Sequence, residues 1–435
     1  MLLIYLKRDT LARLRTSRGR PSEQRGSPAR SRSDAGHDSN CLAAGAVASL
    51  DFGAMMRACA ITAPGRLELL EVSAPELGPH DVRLRPAAVG VCGTDFHIYS
   101  GESNFHFDEH GQAIPFDQSP QILGHEITGV VVERGRAVSD VDIGARVVID
   151  QGRNCRSERR EPACEYCATG HSHQCEFFEE HGITGLQGGF AEELVTPALN
   201  VITIESDASF SQAVMTEPIA CVLHCTDFGV RANGRYRLAP QAPASERVRT
   251  TVILGAGPAG LLFVQVLRKR YAFDGPIVVS DPSPEKRALA NRLGAVAVAP
   301  EELEAAVIEQ SKGRRAELLI EATGSGPVFA TIPNLIRKQA TVLLYGVGHG
   351  GASLELLNPL QWREAVLVTS VGASGGFDPD GRPTIYRDAL QMLERGDIEV
   401  DGLLTHEYSG LPAIPDAFTG AHTDRDYIKG IAVLS

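Results

Sequence analysis

The sequence predicts an α/β protein of two domains, a β-rich, glycine-punctuated one followed by a doubly wound parallel sheet. Three observations lead there. A length of 435 residues exceeds what one hydrophobic core usually organises. From residue 55 to about 217, short stretches alternate apolar and polar residues, as half-buried strands do. From about residue 250 onward, apolar strand-like runs alternate with helix-like stretches, the pattern of parallel strands joined by helical crossovers.

In chain order, MMRACAITAPGRLELLEV begins the first domain with clear alternation. In the second domain TVIL reads as a strand, followed by a glycine turn and the helix-like LLFVQVLRKR. PIVVSD is a second strand, PSPEKRALANRLGA a helix, AELLIEATG a strand, PVFATIPNLIRK a helix, and ATVLLYGVG and EAVLVTSVGA two further strands. The helix-like YRDALQMLERGDI and the strand GIAVLS close the chain. The expected ranges are 1–54 for a disordered extension, 55–217 for the first domain with a cysteine lobe at about 151–180, 218–373 for the second, and 374–435 for a return to the first.

The extension holds nine Lys and Arg among its first forty residues, many Ser, and no sustained hydrophobic period. Its apolar start, Met1 to Leu6, is too short for a secretory signal, so the expected location is cytoplasmic. An Arg- and Ser-rich start also suits an organellar transit peptide, or a stretch upstream of a true start at Met55 or Met56. No apolar run approaches the roughly 18 to 20 residues of a membrane span. A formal charge of -12 opposes binding to nucleic acid, which relies on basic surface. A small molecule is the expected partner.

Nine cysteines, an odd number without an export signal, argue against a disulfide framework. Four are clustered as Cys155-x8-Cys164-x2-Cys167-x7-Cys175, in a segment with almost no apolar residues to build a core. Four thiolates converging on one tetrahedral zinc ion would supply the missing cross-links. The first gap of eight is longer than the usual two to four, which keeps Glu161 open as a substitute for Cys155.

A second constellation joins Cys92 in GVCGTDFHIYSGE, His125 and Glu126 in ILGHEITGVV, and Glu217 in TEPIACVLH. Taken singly each is bland, because a lone Cys in an apolar strand is more often buried filling. Together, a thiolate, an imidazole and carboxylates flanked by glycines make a mixed-ligand metal site with room for an exchangeable water or substrate.

The third signal is Gly255, Gly257 and Gly260 in G-x-G-x-x-G spacing between a strand and a helix, with Asp281 ending the next strand some twenty residues later. The glycines let backbone and helix N-terminus approach a pyrophosphate, and Asp281 can accept hydrogen bonds from ribose hydroxyls. A 2'-phosphate near that carboxylate would meet repulsion of roughly 4 kcal/mol per charge pair at about 4 Å, so NAD is expected rather than NADP.

In order and approximate spacing, these signals resemble the zinc-containing medium-chain dehydrogenases, particularly the sorbitol, threonine and related polyol dehydrogenases. The resemblance spans residues 55–435 and rests on Cys92 to Asp95, Gly124 to Glu126, the four-cysteine lobe, Glu217 with Pro218, and the glycines. It implies a GroES-like catalytic domain interrupted by a Rossmann NAD-binding domain, with the active site in the cleft between them. Cys92 and His125 would hold a catalytic zinc, with Glu126 a direct or alternating ligand and Glu217 on the zinc or its water. Thr94 and His97 match the family's proton-relay positions, Lys286 a ribose contact, and the four cysteines its structural zinc. The implied reaction is NAD-linked oxidation of a secondary alcohol on a polyol, sugar, cyclitol or amino alcohol, by a homodimer or homotetramer. The polar stretch SGESNFHFDEHGQAIPFDQSPQ is a candidate for recognising substrate hydroxyls or for an oligomer contact. The alternatives from other classes are a zinc-independent reductase of the same fold and a non-catalytic NAD or zinc sensor.

Overall fold

A computed structural model of the chain describes residues 54–434. The expected disordered extension lies outside the described residues, apart from its last position. The first strand, Met55–Ala63, pairs antiparallel with Arg66–Ser73. No helix among the described residues is long and apolar enough to cross a membrane.

The main sheet of the first domain runs in the order Val201–Thr203, Arg146–Ile149, Glu126–Arg134, Asp81–Val91, Lys429–Val433, Leu404–Ser409, with Leu194–Pro197 also paired to Asp81–Val91. Its register has a direct consequence for chemistry. Gly90 faces Glu126 on one side and Ile431 on the other, so the start of the C-terminal strand arrives beside Cys92 and Glu126.

The second domain holds six parallel strands in the order Val296–Val298, Ile277–Ser280, Thr251–Leu254, Ala316–Glu321, Ile336–Leu344, Val366–Thr369. The strand order reverses between Thr251–Leu254 and Ala316–Glu321, and ligands of such sheets bind outside the carboxyl ends at that switch point. One core covers the sheet on the side of helix Pro258–Lys269, and a second, with Leu303, Val307 and Leu335, covers the other.

Three differences from the sequence reading have physical causes. PVFATIPNLIRK is not one helix: it gives two short turns, Gly326–Phe329 and Ile332–Leu335, and then enters strand Ile336–Leu344. Pro327 and Pro333 each sit in a first helical turn, where a missing N–H costs least, so each starts a new turn instead of continuing one. The boundary expected at 217 falls within helix Thr216–Arg231, whose eleven residues from Thr216 to Thr226 are all buried. A stretch buried on every face, polar residues included, shows no amphipathic stripe to announce it. The return expected from 374 comes in stages: helix Thr384–Glu394 packs against Thr216–Arg231, sharing a core with Pro258–Lys269, and only the last two strands join the first sheet.

Candidate active site and metal centres

Cys92 ends strand Asp81–Val91 and caps helix Gly93–Tyr99. The cap is built by Asp95, which is fully buried and whose carboxylate accepts from the Cys92 amide at 2.9 Å and the Gly124 amide at 3.2 Å. The same carboxylate lies 3.4 Å from His125 Nδ1. Asp95 thus ties the loop of Cys92 to the loop of His125. Gly124 takes φ +85°, and a Cβ there would lie 2.8 Å from Val89 and 2.9 Å from Phe190, so the turn that delivers His125 requires glycine.

Cys92, His125 and Glu126 each present a ligand atom within 4.8 Å of the others. Glu126 begins its strand opposite Gly90, where a Cβ would sit 1.9 Å from Glu126 Oε2. The absent side chain makes room for the carboxylate. Lys429, 3% exposed, pairs its ammonium with Glu126 Oε1 at 2.5 Å. Burial opposes that charge, yet Glu126 and Cys92 more than offset it and hold the ammonium above its ordinary value. Burial likewise opposes a charged His125, but Asp95 and Cys92 outweigh it and push the imidazole well up. His125 Nδ1 and Glu126 Oε2 are buried without hydrogen-bond partners. One thiol, one imidazole and one carboxylate so arranged fit a zinc ion.

Glu217 lies in the first turn of its helix and outside this group of three. Its Oε1 accepts from Gln151 Nε2 and from Cys221 Sγ, each at 3.1 Å. Burial raises its carboxyl, as does the nearby charge of Glu126. Thr94 Oγ1 is 3.9 Å from Cys92 Sγ, whereas His97 pairs with Glu102 at 2.7 Å through Nδ1. Among the described residues no hydrogen bond joins Thr94 directly to His97.

The four lobe cysteines come together, all buried, with ligand atoms within 4.8 Å of one another. Cys155 belongs to that set, whereas Glu161 is exposed outside it. Sγ separations of 3.6 Å from Cys155 to Cys175 and 3.9 Å from Cys164 to Cys175 match the edge of a tetrahedron with Zn–S bonds of about 2.3 Å, which is about 3.8 Å. Hydrogen bonding from Cys167 pulls Cys175 down to about 5, favouring a thiolate where a soft metal needs one. The lobe fits a structural zinc.

At the switch point Gly255 takes φ +99° and Gly257 caps helix Pro258–Lys269, with open space where its side chain would be. A Cβ on Gly260 would lie 2.0 Å from Gly255 O, so that helix can approach the loop only with glycine there. Asp281 follows strand Ile277–Ser280; its Oδ2 accepts from the Ala256 amide and its Oδ1 from the Ser283 amide, each at 2.8 Å. Each oxygen keeps lone-pair capacity for a ribose hydroxyl. Lys286 lies in the first turn of the next helix, its amide bonded to Ser283 Oγ.

The two halves of the site meet through Tyr345, directly after strand Ile336–Leu344. Burial raises its hydroxyl, as do the nearby charges of Cys221, Glu217 and Cys92, and helix Thr216–Arg231, which carries Glu217, packs against both Glu126–Arg134 and Ile336–Leu344. Lys429, Gln151, Glu180 and Tyr386 escaped sequence reading. A lone lysine before an apolar strand carries no motif, and the Gln151 cluster has no characteristic spacing.

Comparison with known proteins agrees with this arrangement. Residues 78–206 match the alcohol dehydrogenase GroES-like domain, and residues 258–395 match the zinc-binding dehydrogenase domain. Glucose 1-dehydrogenase 2 of Vulcanisaeta moutnovskia is 30% identical over 370 residues, covering 83% of this chain and 94% of that one. D-arabinitol dehydrogenase 1 of Uromyces fabae is 29% identical over 371 residues, covering 83% and 93%. A zinc-binding dehydrogenase from Sinorhizobium meliloti 1021, solved with NADP, superposes with a TM-score of 0.69 at 27% identity, covering 87% of this chain and 99% of that one.

Proposed function

Because the chain belongs to the zinc-binding alcohol dehydrogenase family, and so is an NAD-dependent alcohol dehydrogenase, we propose that it oxidises a secondary alcohol of a small polyhydroxylated substrate with catalytic zinc at Cys92, His125 and Glu126. The observation that carries this reading is the convergence of those three side chains, with Glu126 Oε2 buried and unpartnered among them. When bound, zinc supplies the acidity that lowers a coordinated water from about 16 to about 7, and NAD supplies the hydride acceptor.

The chain's own residues do the rest. Asp95 lies behind His125, and Lys429 balances the charge of the buried Glu126 carboxylate. Glu217, held from behind by Gln151 and Cys221, faces the trio's charge and supports a role on the metal's water. Thr94 is the hydroxyl adjacent to Cys92 and the candidate first acceptor of the substrate proton, and His97, paired with Glu102, is the candidate outer acceptor. Gly255, Gly257 and Gly260 hold the pyrophosphate against the helix N-terminus. Asp281 receives the ribose hydroxyls beside Lys286, and its charge disfavours a 2'-phosphate. The relatives named for glucose and D-arabinitol support a sugar or polyol as substrate class.

The test is NADH formation by the zinc-loaded full chain across polyols, sugars, cyclitols and amino alcohols, with Cys92→Ala as control. Turnover lost in the variant is the expected result. NAD binding without turnover on any alcohol would overturn the reading.

A further inference from the structure

Behind Glu217 lies a buried polar cluster that the motif residues leave unexplained. Gln151 follows strand Arg146–Ile149 and is 1% exposed. Its Nε2 donates to Glu217 Oε1 at 3.1 Å and to Glu180 Oε1 at 3.2 Å. Tyr386, fully buried on helix Thr384–Glu394, donates its hydroxyl to Gln151 Oε1. His173 Nε2 lies 3.6 Å from Glu180 Oε1 on the far side.

An amide has two N–H donors and one carbonyl, and here each finds its complement. Turned over, the carbonyl would face two carboxylates, and the phenol would lose its acceptor. Tyr386 therefore fixes the amide, and the amide in turn ties Glu217 to Glu180. An amide donating to both carboxylates relieves the repulsion that burying two of them together would create. Tyr386 and Gln151 come from segments 235 residues apart, so the arrangement exists only once the two domains have packed.

We propose that Gln151, locked by Tyr386, is a positioning residue for Glu217 and sets the direction in which that carboxylate meets the Cys92, His125 and Glu126 group. This rests on the reading of that group as the catalytic centre. Among the described residues Glu217 is held by its helix, by Gln151 and by Cys221 Sγ, and loss of the amide loosens its χ angles. Misplacement of such a group by about 1 Å costs on the order of 100-fold in rate.

The experiment compares wild type, Gln151→Leu, Tyr386→Phe and the double variant in kcat, KM and thermal midpoint. It adds the visible spectrum of each cobalt(II)-substituted protein, which reads the metal's surroundings without turnover. Expected is a loss of roughly 10- to 100-fold in kcat for each single variant, with KM for NAD unchanged and shifted cobalt bands. Because Tyr386 acts through Gln151, the double variant should be no worse than Gln151→Leu. Tyr386→Phe keeps the buried ring, so it serves if Gln151→Leu does not fold. Full kcat in a folded single variant, or losses that multiply in the double, would overturn the proposal. With Cys92→Ala inactive, that result removes the positioning role alone; turnover in Cys92→Ala removes the reading beneath it as well.

Discussion

The two candidate metal centres differ in how the chain assembles them. The lobe takes all four ligands from residues 155–175, and the cluster they form has only Phe177 and Phe178 packed against it. The Cys92 centre draws on segments from residue 92 to residue 429 and is framed by charge: Asp95 behind His125, Lys429 on Glu126, and Gln151 on Glu217. A centre closed by four like ligands can contribute folding energy. One with three mixed ligands and balancing charges keeps an open side for chemistry.

The largest expected effect breaks that contrast directly. Cys167→Ser should destabilise the fold by several kcal/mol, on the scale of structural zinc sites, and so lower the thermal midpoint sharply, and a chelator should do the same to wild type. Cys92→Ala should leave a folded, NAD-binding protein without turnover. Midpoints and NADH formation measured side by side check both, and reversed effects would exchange the two assignments.

Next in size is Lys429→Met, which strands the Glu126 carboxylate in a buried site. Removing one partner of a buried pair costs about 3 to 5 kcal/mol, and denaturant unfolding should show a loss in that range. Adding Glu126→Gln should recover part of the stability but none of the activity. A loss below about 1 kcal/mol in Lys429→Met would mean the pair is not buried in solution.

Gly260→Ala tests the nucleotide loop, which is built without any metal. The new methyl would lie 2.0 Å from Gly255 O, forcing the helix away from the loop at a cost of about 1 to 3 kcal/mol. NAD affinity by calorimetry should fall while the zinc content of both centres is unchanged.

The smallest effect is a pH slope. Burial, with the charges of Glu180 and Glu217, pushes Asp150 up to about 8 against the hydrogen bond from the Gly152 amide. The folded state then holds a proton that the unfolded state releases above its ordinary value, so stability falls as pH rises towards 8. Asp150→Asn, neutral throughout, should flatten that slope between about pH 4 and pH 8 in thermal scans. An unchanged slope would assign it to Glu180, raised by burial to about 7.

Legibility followed the range of the interactions. The glycine loop could be read because Gly255, Gly257, Gly260 and Asp281 carry a fixed spacing; in the structure a positive φ calls for glycine at 255, the Gly255 carbonyl calls for it at 260, and Asp281 accepts from two loop amides. The lobe could be read because a short segment with few apolar residues has little else to hold it. The Pro327 and Pro333 turns were misread because their apolar spacing imitates a helix that the prolines interrupt. Helix Thr216–Arg231 was missed because full burial erases periodicity.

By itself the sequence determined the ligand types, the nucleotide loop and the order of the two domains, because each is written in residues close along the chain. Only the tertiary structure decided what surrounds those ligands. Lys429 reaches Glu126 across 303 positions through the register of the central sheet, and Tyr386, on helix Thr384–Glu394, reaches Gln151, just beyond strand Arg146–Ile149, across 235. Neither residue carries a local pattern, since burial and partner charge are properties of the assembled core.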